Sequence, residues 1–285
     1  MALHFELFAD AGAFLEAVGP TLYAFEPHNN LALGLAESMV KNGTPDDALL
    51  IAGTEQGEVR VAAVRSRPLN HINLIIGRTG RMTEDDVVAL ARWVRREAPG
   101  LAGVMGEPGA AATFAREWTG SLELGADRQV RILALDRVEY DGHDKGTVRT
   151  ATESEAESVF DWLRGFRADI GMPVTDETEL RESYGPRIAA GEVYFLELDE
   201  PVCMAARVRS TKNCDIIGGV YTPAAFRCQG HATALVARMS RLFLGRGKTR
   251  CALFTDKHNP TSNAIYERIG YREVMQAVEY TLPVE

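Results

Sequence analysis

Residues 226–235 read FRCQGHATAL, at the point where an apolar strand gives way to a helix. The first turn of a helix leaves N–H groups without intrahelical partners, and the helix dipole adds partial positive charge there. Such a turn binds an anion when the backbone can come close to it. Gly230 has no Cβ and Ala232 carries a single methyl, so a bulky phosphate can sit against the N–H groups of residues 228–232. Arg227 adds a formal positive charge beside them. The stretch is neither the phosphate loop G-x-x-x-x-G-K-[ST] nor the dinucleotide pattern G-x-G-x-x-G. On these residues alone a simple tight turn is the commoner reading, and the surrounding sequence has to decide.

The flanking segments follow a definite order. NCDIIGGVYT (213–222) reads as a strand whose interior Gly218-Gly219 pair marks a bulge or a close backbone approach. Leu235, Val236, Met239, Leu242 and Phe243 form one apolar stripe along a helix over 231–244. CALFTD (251–256) is a buried strand. Asn259 and Pro260 open a second helix as N-cap and first helical residue, and Gly270 closes it. Asn259, Asn263 and Tyr266 are spaced i, i+4, i+7 and so share one face of that helix.

Upstream, TVRTAT (147–152) is a short strand, followed by helices over 153–168 and around 176–189. EVYFLELDE and PVCMAARVRS are two strands joined by a turn near Asp199 and Glu200, and REVMQAVEYTLP supplies the final strands. The first half repeats this rhythm. It has a hairpin over 49–66 around Gln56-Gly57, a strand at 71–79, and a helix over 82–98 opened by a Thr83/Asp86 capping box. A strand at LAGVMGE, a helix at GAAATFAREWT and a strand over 128–138 complete it. The polar, Gly-containing EYDGHDKG (139–146) is the candidate linker. The expected architecture is α/β, with tandem domains at 1–138 and 147–285, each a mixed, mostly antiparallel sheet flanked by helices.

Composition narrows the partners. The balance of 31 Lys+Arg against 40 Asp+Glu, with no basic block, disfavours nucleic acid. No apolar run approaches the roughly 18 residues a membrane span needs. MALHFELFAD carries Glu6 and Asp10 and no basic leader, so a secretory signal is not expected and a cytoplasmic location follows by default. The cysteines, Cys203, Cys214, Cys228 and Cys251, form no C-x-x-C pair, which argues against a metal or redox site, and the three in apolar strand-like runs read as buried reduced thiols.

Taken together, Arg227-x-x-Gly230-x-Ala232, the preceding GGVYTP and the later NPTSNAIYERIGY (259–271) closely resemble the GCN5-related N-acetyltransferase superfamily. The resemblance is strong over 213–273, weaker over 146–285 and architectural over 1–138. It implies the mixed-sheet acyl-CoA N-acyltransferase fold and acetyl-CoA as acyl donor, with no metal. Arg227, Gly230 and Ala232 match the fixed positions of the pyrophosphate loop, while Cys228, Gln229 and His231 fill the free ones. The resemblance also implies that IIGGVYT and CALFTD splay apart, with backbone groups of Val220, Tyr221 and Thr222 aimed at the acetyl-pantetheine. It places Asn259 and Asn263 on the helix that meets the CoA arm, and Tyr266 near the sulfur as general acid.

Asp215, Glu197 and His258 are candidates for the general base, with none singled out. In the first half, Gly77, Arg78, Gly80 and Arg81 stand at the corresponding junction, but Glu84, Asp85 and Asp86 open the helix and would repel a pyrophosphate. That half therefore reads as a degenerate copy that supports the second domain, shapes the acceptor pocket or forms an oligomer contact. The implied reaction is direct acetyl transfer to an amine on a small molecule or peptide, and the net charge of -9 suits a cationic one. The alternative is a CoA-binding module without catalysis, whose occupancy controls a partner.

Overall fold

The computed structural model describes residues 3–66, 74–121, 125–142, 146–171 and 176–283. The start of the expected strand at 71–79 and the middle of the expected linker lie outside the described residues. The chain divides into two compact units. The first holds Met1–Ile132, Thr255–His258 and Glu273–Glu285, and the second holds Leu133–Phe254 and Asn259–Arg272. A single linker would assign the last strand to the second half, whereas by its contacts it belongs to the first unit.

In chain order the elements are β1 (His4–Leu7), α1 (Ala11–Tyr23), α2 (Glu26–Asn42), β2 (Leu49–Glu55), β3 (Glu58–Arg65), β4 (Leu74–Gly77), α3 (Glu84–Glu97), β5 (Gly103–Gly106), α4 (Pro108–Thr119) and β6 (Arg128–Leu135). They continue with β7 (Thr147–Thr150), α5 (Ala156–Asp169), α6 (Glu177–Ala189), β8 (Val193–Glu197), β9 (Pro201–Ser210), β10 (Cys214–Tyr221), α7 (His231–Gly245), β11 (Arg250–Asp256), α8 (Pro260–Ile269) and β12 (Arg272–Thr281). The segment REVMQAVEYTLP, expected as more than one strand, forms β12 alone.

In the first unit the strands run in the order β1-β2-β3-β4-β5-β12, with only the β4–β5 pair parallel among these neighbours. The β2–β3 hairpin turns on Gln56 (φ 53°) and Gly57 (φ 81°). Two successive left-handed residues give the turn whose twist matches that of the strands. Thr83 and Asp86 make both bonds of the capping box that starts α3. Leu90, Val94, Phe114 and Trp118 pack on one face of the sheet with Ile51, Val104 and Tyr280. Phe14, Leu22 and Leu33 cover the other face through Leu50, Ala62 and Val64.

In the second unit the order is β11-β10-β9-β8-β7, antiparallel except for the β10–β11 pair. Side chains alternate between faces along each strand. Cys203 and Ala205 thus meet Leu235, Val236, Met239 and Phe243 of α7. Met204 and Ala206 meet Val159, Phe160, Leu163 and Ile188 of α5 and α6. Buried Tyr271 shares a 2.8 Å hydrogen bond with Ser240, so its hydroxyl is satisfied inside the core. Among the described residues no helix is long and apolar enough to cross a membrane.

Candidate active site

The parallel pairing of β10 with β11 runs from Cys214 opposite Arg250 to Ile217 opposite Leu253 and ends there. β10 continues to Tyr221, so its last residues, Gly218–Tyr221, lie beyond the paired stretch. On its other side the register with β9 slips, with Gly218 opposite Ala206 but Tyr221 opposite Met204. Three steps on one strand against two on the other define a bulge at the glycine pair. Gly219 takes φ 59°, and a Cβ there would lie 2.9 Å from the Tyr184 hydroxyl. The glycine pair therefore frees this strand end from its parallel neighbour and leaves main-chain groups for something else to pair with.

A cavity of about 620 Å³ opens beside that strand end. Val220, Tyr221 and Thr222 line it, as do all six residues from Arg227 to Ala232. Gly230 is the N-cap of α7, with φ 82° and no side-chain cap. The first intrahelical donor is the N–H of Ala234, 3.0 Å from the Gly230 carbonyl, so the N–H groups before it point out of the helix. A Cβ built on Gly230 meets nothing within 4 Å. The glycine thus serves a left-handed backbone and keeps open the space in front of an uncapped helix end. Cys228 is also left-handed, at φ 62°, and its thiol is the exposed one among the four cysteines. His231, the first residue of α7, is buried and lines the cavity.

Arg227 is less free than its place in the sequence suggests. Its Nη2 lies 2.5 Å from Asp169 Oδ2, its Nε donates to the Thr222 carbonyl at 2.9 Å, and its guanidinium stands 5.7 Å from the centre of the Tyr221 ring. Asp169, with Phe166 and Ile170, brings the end of α5 into the wall. Nothing in the spacing of 153–168 marks these residues; they reach the site only because α5 packs on β10.

From α8, Asn259 and Tyr266 line the cavity. The Asn259 side chain accepts the Ser262 N–H at 3.0 Å, a helix cap. Asn263 is buried on the same helix but is not part of the lining, so the shared face turns partly into the core. Tyr266 is almost wholly buried, and desolvation, then the neighbouring Cys203 thiol, pushes its pKa well above the usual tyrosine value. It is therefore a neutral O–H at any physiological pH. Cys203 is itself pushed up to about 12 by burial, against the bond that the Thr222 hydroxyl gives its sulfur at 3.2 Å.

None of the base candidates lines this cavity. Asp215 is buried between Arg207 and Lys248, at 3.6 Å from each. Glu197 is bound to Arg149. His258 groups with the first unit.

Residues 197–280 match the family model described as FR47-like protein. Among solved structures, a GCN5-related N-acetyltransferase from Sphaerobacter thermophilus is 16% identical with a TM-score of 0.62, over 99% of this chain and 96% of that one. An acetyltransferase from the GNAT family of Colwellia psychrerythraea is 11% identical with a TM-score of 0.61, over 98% and 100%. A tandem GNAT protein from the clavulanic acid biosynthesis pathway is 14% identical with a TM-score of 0.59, over 99% of each chain. No curated protein has a sequence that matches. The fold is that of the GCN5-related N-acetyltransferases, and at these identities the likeness speaks for the fold alone.

Proposed function

We propose that this protein transfers an acetyl group from acetyl-CoA to an amine, in the second unit. The observation that carries this reading is that one cavity joins the uncapped start of α7 at Gly230, the end of β10 beyond its pairing with β11, and Tyr266. The outward N–H groups of the Gly230 turn suit a diphosphate, which needs several donors and room to approach. Main-chain groups of Val220 to Thr222 suit the amides of an extended pantetheine arm, in the manner of an added strand.

The chemistry asks little of the side chains. An acceptor ammonium loses one proton to solvent, and the neutral nitrogen then forms a bond to the acetyl carbonyl carbon. The C–S bond breaks with its electron pair on sulfur. Tyr266 donates its hydrogen to that sulfur and is reprotonated by the second proton leaving the nitrogen. Because its pKa is raised, the phenol stays protonated until the sulfur gains charge, and its hydrogen bond to that sulfur strengthens as the charge develops, ahead of the transfer. The open cavity gives water access to the departing proton.

The first unit supports no second site in this reading. A Cβ on Gly80 would lie 2.8 Å from the Phe25 ring, so the space before α3 is already filled. Arg78 pairs with Glu107, Arg81 with Glu58, and Asp86 with Arg60. Titrating acetyl-CoA into the purified protein by calorimetry tests this reading, with one site per chain as the expected result. Two tight sites would sink the assignment to one unit, and no binding would sink the whole. Binding without CoA release across a broad amine panel would favour the non-catalytic module.

A further inference from the structure

Among the described residues, the α5/α6 face of the second unit's sheet holds two arginines, Arg187 and Arg209, with no acid paired to them. Arg209, on β9 opposite Ile216, is partly buried, with its guanidinium over the Phe254 ring at 5.4 Å. Its Nε is out of contact with solvent and has no hydrogen-bond partner. The titratable groups acting on it are Arg187, Cys214 and Tyr184, and none is a carboxylate. Arg187 stacks on Tyr184 at 5.4 Å, and its N–H groups go to the carbonyls of Val208 and Ser183. Other arginines of this unit, such as Arg149, Arg181 and Arg207, are each paired with a glutamate. In a chain with more acids than bases, an arginine left without one calls for an explanation.

Its position supplies one. Phe254 directly follows Leu253, the last residue of β11 paired with β10. The Tyr184 hydroxyl fills the space where Gly219 would carry a Cβ, on the part of β10 beyond its pairing with β11. Arg209 and Tyr184 therefore flank the point where the two strands part, outside the lining of the cavity itself. A guanidinium over an aromatic ring is held there by the ring's negative face, and its N–H groups can grip a carboxylate with two parallel bonds. A buried cation without a counter-charge is costly, and burial together with Arg187 lowers the Arg209 pKa to about 10. An anionic ligand would relieve that cost.

We infer that Arg209, lying over the Phe254 ring, binds a carboxylate of the acceptor, so that the amine acetylated belongs to an amino-acid-like molecule rather than a polyamine. This rests on the acyl-transfer reading given above, and it sets local charge against the overall acidity that points to a cationic acceptor. The test uses free amino acids matched with their own carboxamides, followed by CoA thiol release in the wild type, Arg209→Gln and Arg209→Lys. The carboxylate member of a productive pair should be preferred by at least about tenfold in kcat/KM, or about 1.4 kcal/mol. Arg209→Gln should collapse that preference through the KM of the carboxylate, and Arg209→Lys should restore part of it. Equal use of both members, or a preference that survives Arg209→Gln, overturns the inference.

Saturation-transfer NMR of the same pairs, without acetyl-CoA, reads carboxylate binding directly. A protein that fails to bind acetyl-CoA yet shows Arg209-dependent carboxylate binding loses the acyl-transfer reading, and with it the acceptor's role, and keeps only the carboxylate site. Absence of carboxylate-dependent binding in the folded wild type, with acetyl-CoA bound normally, removes this one alone. Thermal melting of both variants shows that they remain folded, and Arg209→Lys carries the comparison where the glutamine does not.

Discussion

Arg227 Nη2 sits 2.5 Å from Asp169 Oδ2, and both side chains are more than two-fifths exposed. The one arginine of the phosphate turn thus shares its charge with a carboxylate from α5. An exposed pair of this kind contributes about 0–1 kcal/mol to stability, so breaking it costs the fold little, while the charge in the cavity changes by one unit. Asp169→Asn is expected to tighten acetyl-CoA binding, and Arg227→Gln to weaken it. Each change should shift the dissociation constant by a factor of about 2–5 at low salt, and less as salt rises. Calorimetric titration at two ionic strengths checks both signs; a weaker complex in Asp169→Asn would show that the carboxylate helps to hold the ligand.

The space in front of Gly230 makes a sharper demand. A glutamate there puts a carboxylate against the uncapped N–H groups and occupies the place proposed for the diphosphate. Any L-residue at φ 82° also costs the backbone about 1–2 kcal/mol. Gly230→Asn is therefore the control, since asparagine tolerates the left-handed region and carries no charge. Gly230→Glu should lose acetyl-CoA binding by at least about tenfold relative to Gly230→Asn, with similar melting temperatures. Equal affinities would mean that the diphosphate lies elsewhere.

The Cys228 thiol is exposed in the cavity wall, whereas Cys203, Cys214 and Cys251 are buried. Burial holds the Cys203 and Cys251 pKa values up to about 12, so they supply almost no thiolate at neutral pH. Native protein should therefore react rapidly with one equivalent of a thiol reagent, and Cys228→Ala with none. Saturating acetyl-CoA should slow the wild-type reaction. Mass spectrometry of the modified peptide decides it, and rapid labelling at a second cysteine would contradict the packing.

Much of this was legible in sequence because local chemistry enforced it. The Gln56-Gly57 turn, the Thr83/Asp86 box, the Asn259-Pro260 start and the Gly270 stop each need particular residues at fixed offsets. The Gly218-Gly219 bulge was legible for the same reason. What escaped was non-local. Asp169 meets Arg227 across 58 positions of sequence, and β12 joins β5 from the far end of the chain. Arg209 reads as one more charged residue at a strand end until Phe254 and Tyr184 are seen beside it. The turn of Asn263 away from the cavity depends on how α8 sits on the sheet, which helical spacing does not fix.

Glu155 gives the molecule an acid-sensitive point outside the site. Arg149 binds it at 2.7 Å and also holds Glu197, joining the start of α5 to β7 and β8. The hydrogen bond from Arg149, then those from Thr152, hold the Glu155 carboxyl down at about 2, against a burial effect that raises it. An unfolded glutamate takes up its proton near ~4.3. The stabilisation is therefore complete above that value and is lost as pH falls towards about 2. With side chains about a quarter to a third exposed, the pair is worth about 1 kcal/mol, or about 2–4 °C in melting temperature. Glu155→Gln should melt lower than the wild type by that amount at pH 7, and the two should converge as pH approaches 2. A gap that stays constant from pH 7 to pH 2 would show that the loss comes from the Thr152 cap rather than from the charge.

The phenol of Tyr266 is expected to meet the leaving sulfur. Tyr266→Phe removes the O–H but keeps the ring that packs edge-on against Tyr271 at 6.1 Å. The core should hold, and acetyl-CoA should still bind. A positioned acid of this type is worth about 10²–10⁴ in rate. The raised pKa places Tyr266 towards the lower end of that range, because a weak acid gives up its proton reluctantly. A drop of about 10² in kcat, with the acetyl-CoA dissociation constant little changed, is the expected outcome in steady-state and binding measurements. The pH profile adds a second check. Since Tyr266 stays protonated well beyond pH 10, its ionisation should not appear as an alkaline limb, and the wild-type profile should follow the ionisation of the acceptor amine instead. An alkaline limb near pH 10 that vanishes in Tyr266→Phe would mean that the phenol is less buried in the working enzyme than its packing against Cys203 and Tyr271 requires.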